Sequence, residues 1–184
     1  MKINNKLESY RKIKELNLNR FPEKVFKKSN LNEVEDFIKQ YRANYYAIRD
    51  KSKAGGVFKL KVEPKDILNE ISGYDIFSIN VSSYNYIQNQ LLVGEIMIAD
   101  TKVNAILSTN SAYSVRDAIK NPDFNLTTDI YDNKTLNKIP HFNDVFKYII
   151  KNNLQNMIIE FAYFNIPVGI NNENIVVYEI RTEY

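Results

Sequence analysis

Two runs near the end of the chain decide how it is read. Met157-Ile158-Ile159-Glu160-Phe161-Ala162-Tyr163-Phe164 is apolar with one carboxylate in it, and Ile175-Val176-Val177-Tyr178-Glu179-Ile180-Arg181-Thr182 carries a carboxylate and a guanidinium. Both are rich in β-branched and aromatic residues, and Gly169, Ile170, Asn171 and Asn172 between them supply turn chemistry, so the pair is predicted to be a β-hairpin. Side chains alternate faces along a strand, which puts Glu179 and Arg181 on the same face. A two-residue turn at Ile170 and Asn171 would set Glu160 opposite Arg181 and diagonal to Glu179. Two arrangements suit this spacing. One is a cross-strand ion pair on a solvated sheet face. The other is a divalent cation held by two carboxylates, with the arginine beside it for phosphate oxygens.

The chain has 184 residues, 44% hydrophobic and 26% charged, which fits one globular domain long enough to bury a substantial core. With a formal net charge of +3 and basic and acidic residues interspersed, the overall field is too weak to predict a nucleic-acid partner. There is no cysteine, which excludes disulfides, thiolate catalysis and zinc-thiolate or iron–sulfur sites. No apolar run approaches the length of a membrane span, and Met1 and Lys2 open a polar stretch without an apolar signal core, so a cytoplasmic protein is expected.

Further elements follow from periodicity. Leu7, Tyr10, Ile13 and Leu16 have helical spacing, with the helix ending near Asn17, and a short strand over residues 24–26 follows the break at Phe21 and Pro22. Asn30 and Glu33 have capping-box spacing ahead of Val34, Phe37, Ile38 and Tyr41. Strands are predicted over 45–49 and 57–62, joined by the polar loop Asp50 to Gly56, whose glycines and lysines would suit a polyphosphate or a plain hairpin connection equally. Pro64 starts a helix through Ile71. Strands follow over 76–83, 91–98 and 103–107, the last two joined by a turn at Ala99 to Lys102. Asn121 to Pro140 reads as a polar, irregular excursion. His141, the sole histidine, opens a helix carrying Val145, Phe146, Ile149 and Ile150, and no serine or cysteine motif accompanies it, so it is assigned no function.

In this order the pieces resemble the ATP-grasp nucleotide-binding domain, in the version found in pyruvate phosphate dikinase and phosphoenolpyruvate synthase. Lys6 and Pro22 stand where that family has a lysine at its first helix and a proline before a short strand. Arg49, with Asp50, Lys51 and Ser52, stands for its arginine and Ser-rich phosphate loop. Gly94, Glu95 and Ile96, within Leu-Leu-Val-Gly-Glu-Ile-Met-Ile, take the part of its adenine-binding hinge. Glu160, and Glu179 with Arg181, occupy the positions of its strand glutamate and closing Gln-x-Arg-Pro. The chain departs in having Asp50 and Lys51 where small hydroxyl residues are expected and Glu179 in place of glutamine. The family's phosphohistidine and pyruvate-binding domains have no counterpart in it.

This resemblance implies an α+β, ATP-grasp-like fold of two small lobes of antiparallel sheet with packed helices, lobe 1 about 1–90 and lobe 2 about 91–184. It implies Mg2+-dependent ATP binding, with Glu160 and Glu179 as metal ligands and Arg49 and Arg181 as the phosphate-contacting groups of a transfer reaction. Lys6, Lys59 and Lys61 would be further nucleotide-binding cations. Two other readings stand beside it. In one, the architecture is kept as a nucleotide-free protein-interaction module, and Glu160, Glu179 and Arg181 form a structural ion-pair network. In the other, Tyr41, Tyr45, Tyr46, Tyr84 and Tyr86 near Arg42, Arg49, Lys51 and Lys53 make a small nucleic-acid surface; the near-balanced charge argues against it.

Overall fold

The computed structural model describes residue 3, residues 6–52 and residues 57–182. The chain forms two compact units, Phe21–Ile87 and a larger one combining Met1–Arg20 with Gln88–Tyr184. The first helix, expected in an N-terminal lobe, therefore belongs with the C-terminal strands. Its contacts explain this: α1 (Lys6–Glu15) packs along β9 (Glu173–Thr182), with Ile13 in the core of the larger unit.

The smaller unit is a four-stranded antiparallel sheet, order β1-β4-β2-β3, from β1 (Glu23–Lys27), β2 (Tyr46–Asp50), β3 (Phe58–Val62) and β4 (Ile76–Val81). Helices α2 (Leu31–Gln40) and α3 (Ile67–Ile71) supply Val34, Phe37, Ile67 and Ile71 to a core with Phe26, Tyr46, Ile48, Phe77 and Ile79. Asn30 precedes α2 as expected, but its amide donates to the Glu33 carboxylate and its side chain accepts no capping bond from a backbone N–H. Lys53, Ala54, Gly55 and Gly56 of the expected phosphate loop lie outside the described residues.

The larger unit is a five-stranded antiparallel sheet, order β7-β6-β5-β8-β9. Its strands are β5 (Gln90–Ala99), β6 (Lys102–Ser108), β7 (Phe124–Asp129), β8 (Met157–Val168) and β9. Asp100 at φ 50° makes the tight turn between β5 and β6, where a positive φ matches the twist of a two-residue hairpin. Helix α6 (Phe142–Lys151) buries Phe142, Val145, Tyr148 and Ile149, one stripe at three- and four-residue spacing, against Leu92, Ile96, Ile159, Phe161 and Val177. Each such side chain contributes about 1.5–3 kcal/mol by leaving water. Two shorter helices, α4 (Val115–Lys120) and α5 (Asn133–Leu136), complete the unit. Ser114 caps α4 in a capping box with Asp117.

The segment expected to be irregular, Asn121 to Pro140, contains β7 and α5. Strand β7 alternates Phe124, Leu126 and Thr128 with Asn125, Thr127 and Asp129. An edge strand with one solvated face needs no more apolar content than that.

The closing hairpin begins as expected, with Val168 paired to Glu173, and then departs from a simple ladder. Asn165, Ile166 and Pro167 are extra residues on β8, and Tyr178 is an extra residue on β9. Pro167 has no N–H to give a ladder, which accounts for irregular pairing at that point. The net shift is two residues, so Glu160 stands opposite Glu179 and Ile158 opposite Arg181. The expected Glu160–Arg181 pairing is thereby corrected. Because the shift is even, all three side chains keep the same face.

Asn19 ties this hairpin to the N-terminal segment. It is wholly buried. Its amide donates to the carbonyls of Ile175 (2.7 Å), Val168 (2.9 Å) and Glu173 (3.3 Å), and its carbonyl oxygen accepts from the Asn171 N–H at 2.9 Å. The Asn19 backbone accepts from Val177 N–H and donates to the Tyr148 hydroxyl. Gly169, at φ +78°, has no room for a Cβ, which would lie 2.4 Å from the Asn19 side-chain oxygen.

Candidate functional site

Glu95 on β5, Glu160 on β8 and Glu179 on β9 face one another across three neighbouring strands, since Glu95 pairs with Glu160 and Glu160 with Glu179. The neighbouring Ile96, Ile159, Phe161 and Ile180 enter the core beneath α6, so alternation sends the three carboxylates to the opposite face of the sheet. Like charges directly opposite one another are destabilising, so such a row requires cations.

Two are present. Arg181, diagonal to Glu160, donates from one terminal nitrogen to Glu160 Oε1 at 2.7 Å and from the other to Glu95 Oε2. The first of these nitrogens lies 4.0 Å from Glu179 Oε1. Lys6, at the start of α1, places its Nζ 3.7 Å from Glu179 Oε2. The cluster is sheltered but not closed: side-chain exposure is 18–20% for the three glutamates, 31% for Arg181 and 63% for Lys6. Among the described residues, three carboxylates face two cations, an excess of one acid. Burial and the facing Glu160 push the Glu179 carboxyl above its ordinary range, against the pull of Lys6 and Arg181. Burial tends to lower the Arg181 pKa, but its bond to Glu160 and the charges of Glu95 and Glu160 outweigh it, and the guanidinium is held more firmly protonated.

Of the residues singled out in the sequence, this cluster gathers Lys6, Glu95, Glu160, Glu179 and Arg181. Glu95 arrives in a role different from the one expected. The resemblance puts it in an adenine hinge; the structure makes it the first carboxylate of the row. Its signal was legible, because Glu95 is a lone acid within an apolar strand just as Glu160 is. Gly94 and Ile96, expected with it in the hinge, lie within β5, the apolar strand that leads into the β5–β6 hairpin. Gly94 lies inside β5 at φ +147°, where a Cβ would come within 2.2 Å of the Ile106 carbonyl oxygen, and Ile96 is fully buried in the core. Both are there because the strand continues straight through them.

Arg49, Lys59 and Lys61 belong to the smaller unit and make their contacts there. Arg49 lies over the Phe58 ring at 4.7 Å, Lys59 is paired with Glu70, and Lys61 sits over the rings of Tyr45 and Tyr84 at 5.2 and 4.6 Å. The tyrosines considered for base stacking are largely engaged in packing. Tyr46 is fully buried, Tyr41 packs on Phe37, and Tyr86 stacks on Phe21. His141, in the left-handed region at φ 58°, stacks on Tyr163 with its Nδ1 3.7 Å from Asp144. A concavity of about 470 Å³ lined by Ile98, Ile130, Phe146 and Ile150 includes none of the five cluster residues.

Among the described residues, no group of three histidine, cysteine, aspartate or glutamate side chains is arranged to hold a metal ion by itself. The donor set of the cluster is nevertheless that of a hard cation shared with a ligand: carboxylate oxygens, with cations beside them for an anion. No described helix is long and apolar enough to cross a membrane.

Several solved structures share this architecture. An N5-carboxyaminoimidazole ribonucleotide synthetase, PurK, in complex with ADP, is 12% identical over 99% of this chain and 46% of its own, with a TM-score of 0.51. The macrocyclase MdnC of Microcystis aeruginosa MRC, bound with the precursor peptide MdnA, is 15% identical over 96% of this chain and 51% of its own, with a TM-score of 0.50. A D-alanine-D-alanine ligase from Helicobacter pylori is 14% identical over 96% and 53% of the two chains, with a TM-score of 0.47. The first two are ATP-grasp enzymes, and the fold of this chain is α+β and ATP-grasp-like. The chain spans about half the length of the structures it matches. No protein-family model and no curated protein matches the sequence.

Proposed function

We propose that this chain binds a nucleoside triphosphate together with Mg2+ at the face of β5, β8 and β9, in the cytoplasm. The observation that carries the reading is the row Glu95–Glu160–Glu179 with Arg181 and Lys6 upon it, within an ATP-grasp-like fold. Glu160 and Glu179 would hold the metal, which supplies charge neutralisation for a polyphosphate. Arg181 and Lys6 are the cations of this face that phosphate oxygens would meet. A guanidinium offers a planar pair of donors matched to two such oxygens, and an ammonium offers a point charge. The excess of carboxylates over cations among the described residues of the cluster favours a cation over a bare anion, so the metal–nucleotide complex fits better than the free nucleotide.

The finer likeness, to the domain of pyruvate phosphate dikinase and phosphoenolpyruvate synthase, rests on the closing strand, where Glu179-Ile180-Arg181-Thr182 stands for Gln-x-Arg-Pro. A phosphotransferase or ligase activity toward an acceptor is the corresponding catalytic proposal. Calorimetric titration with Mg-ATP tests the binding. Micromolar affinity is expected in the native chain, with loss of at least tenfold in Glu160→Gln and in Glu179→Gln while the far-UV circular dichroism is unchanged. Unchanged affinity in both variants refutes the assignment.

A second reading has an observation of its own. Arg181 spans Glu160 and Glu95, so most of the network is satisfied from within, as in a structural element of a protein-interaction module. That reading requires no Mg-ATP binding tighter than millimolar.

A further inference from the structure

The nucleotide reading leaves a question that the geometry of Arg181 answers. If Glu160 and Glu179 receive a divalent cation, something must balance them when none is bound, and the guanidinium does so: one arm bonds Glu160 and the other bonds Glu95, one strand further in. We propose that Arg181 is a specificity-determining residue, the resident counter-ion of the carboxylate row, which bars a bare divalent cation and admits the metal only with a polyphosphate. The inference rests on the proposed nucleotide site and concerns its selectivity.

The physical argument is one of exchange. A bare divalent ion entering between Glu160 and Glu179 meets a positive charge already hydrogen-bonded to the Glu160 oxygen and 4.0 Å from the Glu179 oxygen. It must either share those carboxylates with the guanidinium at close range or drive it off both Glu160 and Glu95. The displaced side chain, 31% exposed where it stands, then loses both of the carboxylates it bonds. A metal carried by a triphosphate brings the missing partner with it, because the phosphate oxygens accept the planar donors that Glu160 gives up. Lys6 cannot play this part. It reaches only Glu179, from the outer side at 3.7 Å, and is the most exposed member of the group. Arg181 therefore trades one anion for another, and the site discriminates between the ion and its complex by that trade.

The test uses Mn2+ alone, followed by electron paramagnetic resonance, on the full chain and on Arg181→Gln, with Mn-ATP titrated separately. In the native chain, bare Mn2+ is expected to bind no tighter than millimolar. In Arg181→Gln, where among the described residues the three carboxylates keep only Lys6, it is expected to bind at least tenfold tighter and to raise the thermal midpoint. If this variant folds only when Mn2+ is added, the appearance of its far-UV circular dichroism on titration reads the same gain. Arg181→Lys, which keeps the charge but not the fork, is expected to fall between the two. Equal Mn2+ affinity in the native chain and Arg181→Gln, or no Mn2+ binding by either, overturns the proposal. The Mn-ATP titration reports on the nucleotide reading independently: that reading fails if the native chain does not bind Mn-ATP, whatever bare Mn2+ does in the variant.

Discussion

Replacing Asn19 by alanine is expected to be among the most damaging single changes in the larger unit, although Asn19 is neither charged nor apolar. The side chain makes four hydrogen bonds, three donated to the carbonyls of Val168, Glu173 and Ile175 and one accepted from Asn171 N–H. Alanine leaves the buried Val168 and Ile175 carbonyls and the partly buried Asn171 N–H without this partner. Each stranded buried group costs about 1–3 kcal/mol, and carbonyls that keep a second interaction sit at the low end. The sum is about 3–5 kcal/mol, a large share of a typical stability of about 5–15 kcal/mol. For a chain of this size the thermal midpoint should fall by roughly 10 °C. Urea unfolding followed by circular dichroism measures the free energy, and amide exchange at Asn171 and Val177 locates it in the hairpin. A loss below about 1 kcal/mol, with exchange unchanged at both amides, refutes the view that Asn19 holds the hairpin to the N-terminal segment. Asn19→Asp should be at least as damaging, since a carboxylate would face three carbonyl oxygens.

Two further outcomes follow from the same structure. The Glu179 carboxyl is raised by burial and by Glu160, so its ionisation opposes folding: the stability it contributes is full below its unfolded pKa and is lost as pH rises through its higher folded one. Glu179→Gln should therefore match or exceed the native chain in stability at pH 7, by about 0.2–1 kcal/mol for one like-charge pair removed, with the advantage vanishing toward pH 4 in parallel denaturation curves; a variant clearly less stable at pH 7 would show that the Lys6 and Arg181 contacts dominate. Gly94→Ala forces a Cβ to 2.2 Å from the Ile106 carbonyl oxygen at φ +147°, so the β5–β6 pair must part, at about 3 kcal/mol or more in urea; a loss under about 1 kcal/mol would mean that the strands part without strain.

The features with local causes were legible in the sequence. The existence of α6, with Val145 and Ile149 of its stripe, the tight turn at Asp100 and the two strands of the closing hairpin follow from periodicity and turn residues, although Ile150, expected inside, is exposed and Phe142 and Tyr148 complete the stripe. The common face of Glu160, Glu179 and Arg181 was also accessible, because parity survives any even register shift. What escaped depends on non-local partners. Pro167 marks where the ladder breaks, but nothing local sets the number of extra residues at Asn165–Pro167 or places the one at Tyr178, and together they exchange Arg181 for Glu179 opposite Glu160. Asn19 looked like any polar residue after a helix, since its partners lie about 150 residues away. Strand β7 was hidden because three of its six residues are polar and face outward. Glu95 was visible as an acid in an apolar strand, but only the pairing of β5 with β8 reveals that it extends the row.

The cost of that row bears on why it exists. Replacing a sheltered ion cluster by apolar residues of similar volume is often neutral or stabilising, so stability alone gives little reason to keep Glu95, Glu160 and Glu179 abreast on three strands. A purely structural pair would need one carboxylate for Arg181. Here the guanidinium is divided between two, and the third glutamate, itself raised in pKa, has Lys6 as its nearer cation. On the proposed nucleotide reading, the excess of acid over cations among the described residues would be met by a cation that comes from outside, and the arginine already in place would be met by phosphate that arrives with it. A ligand that carries both charges, as a metal–polyphosphate complex does, would match both features at once.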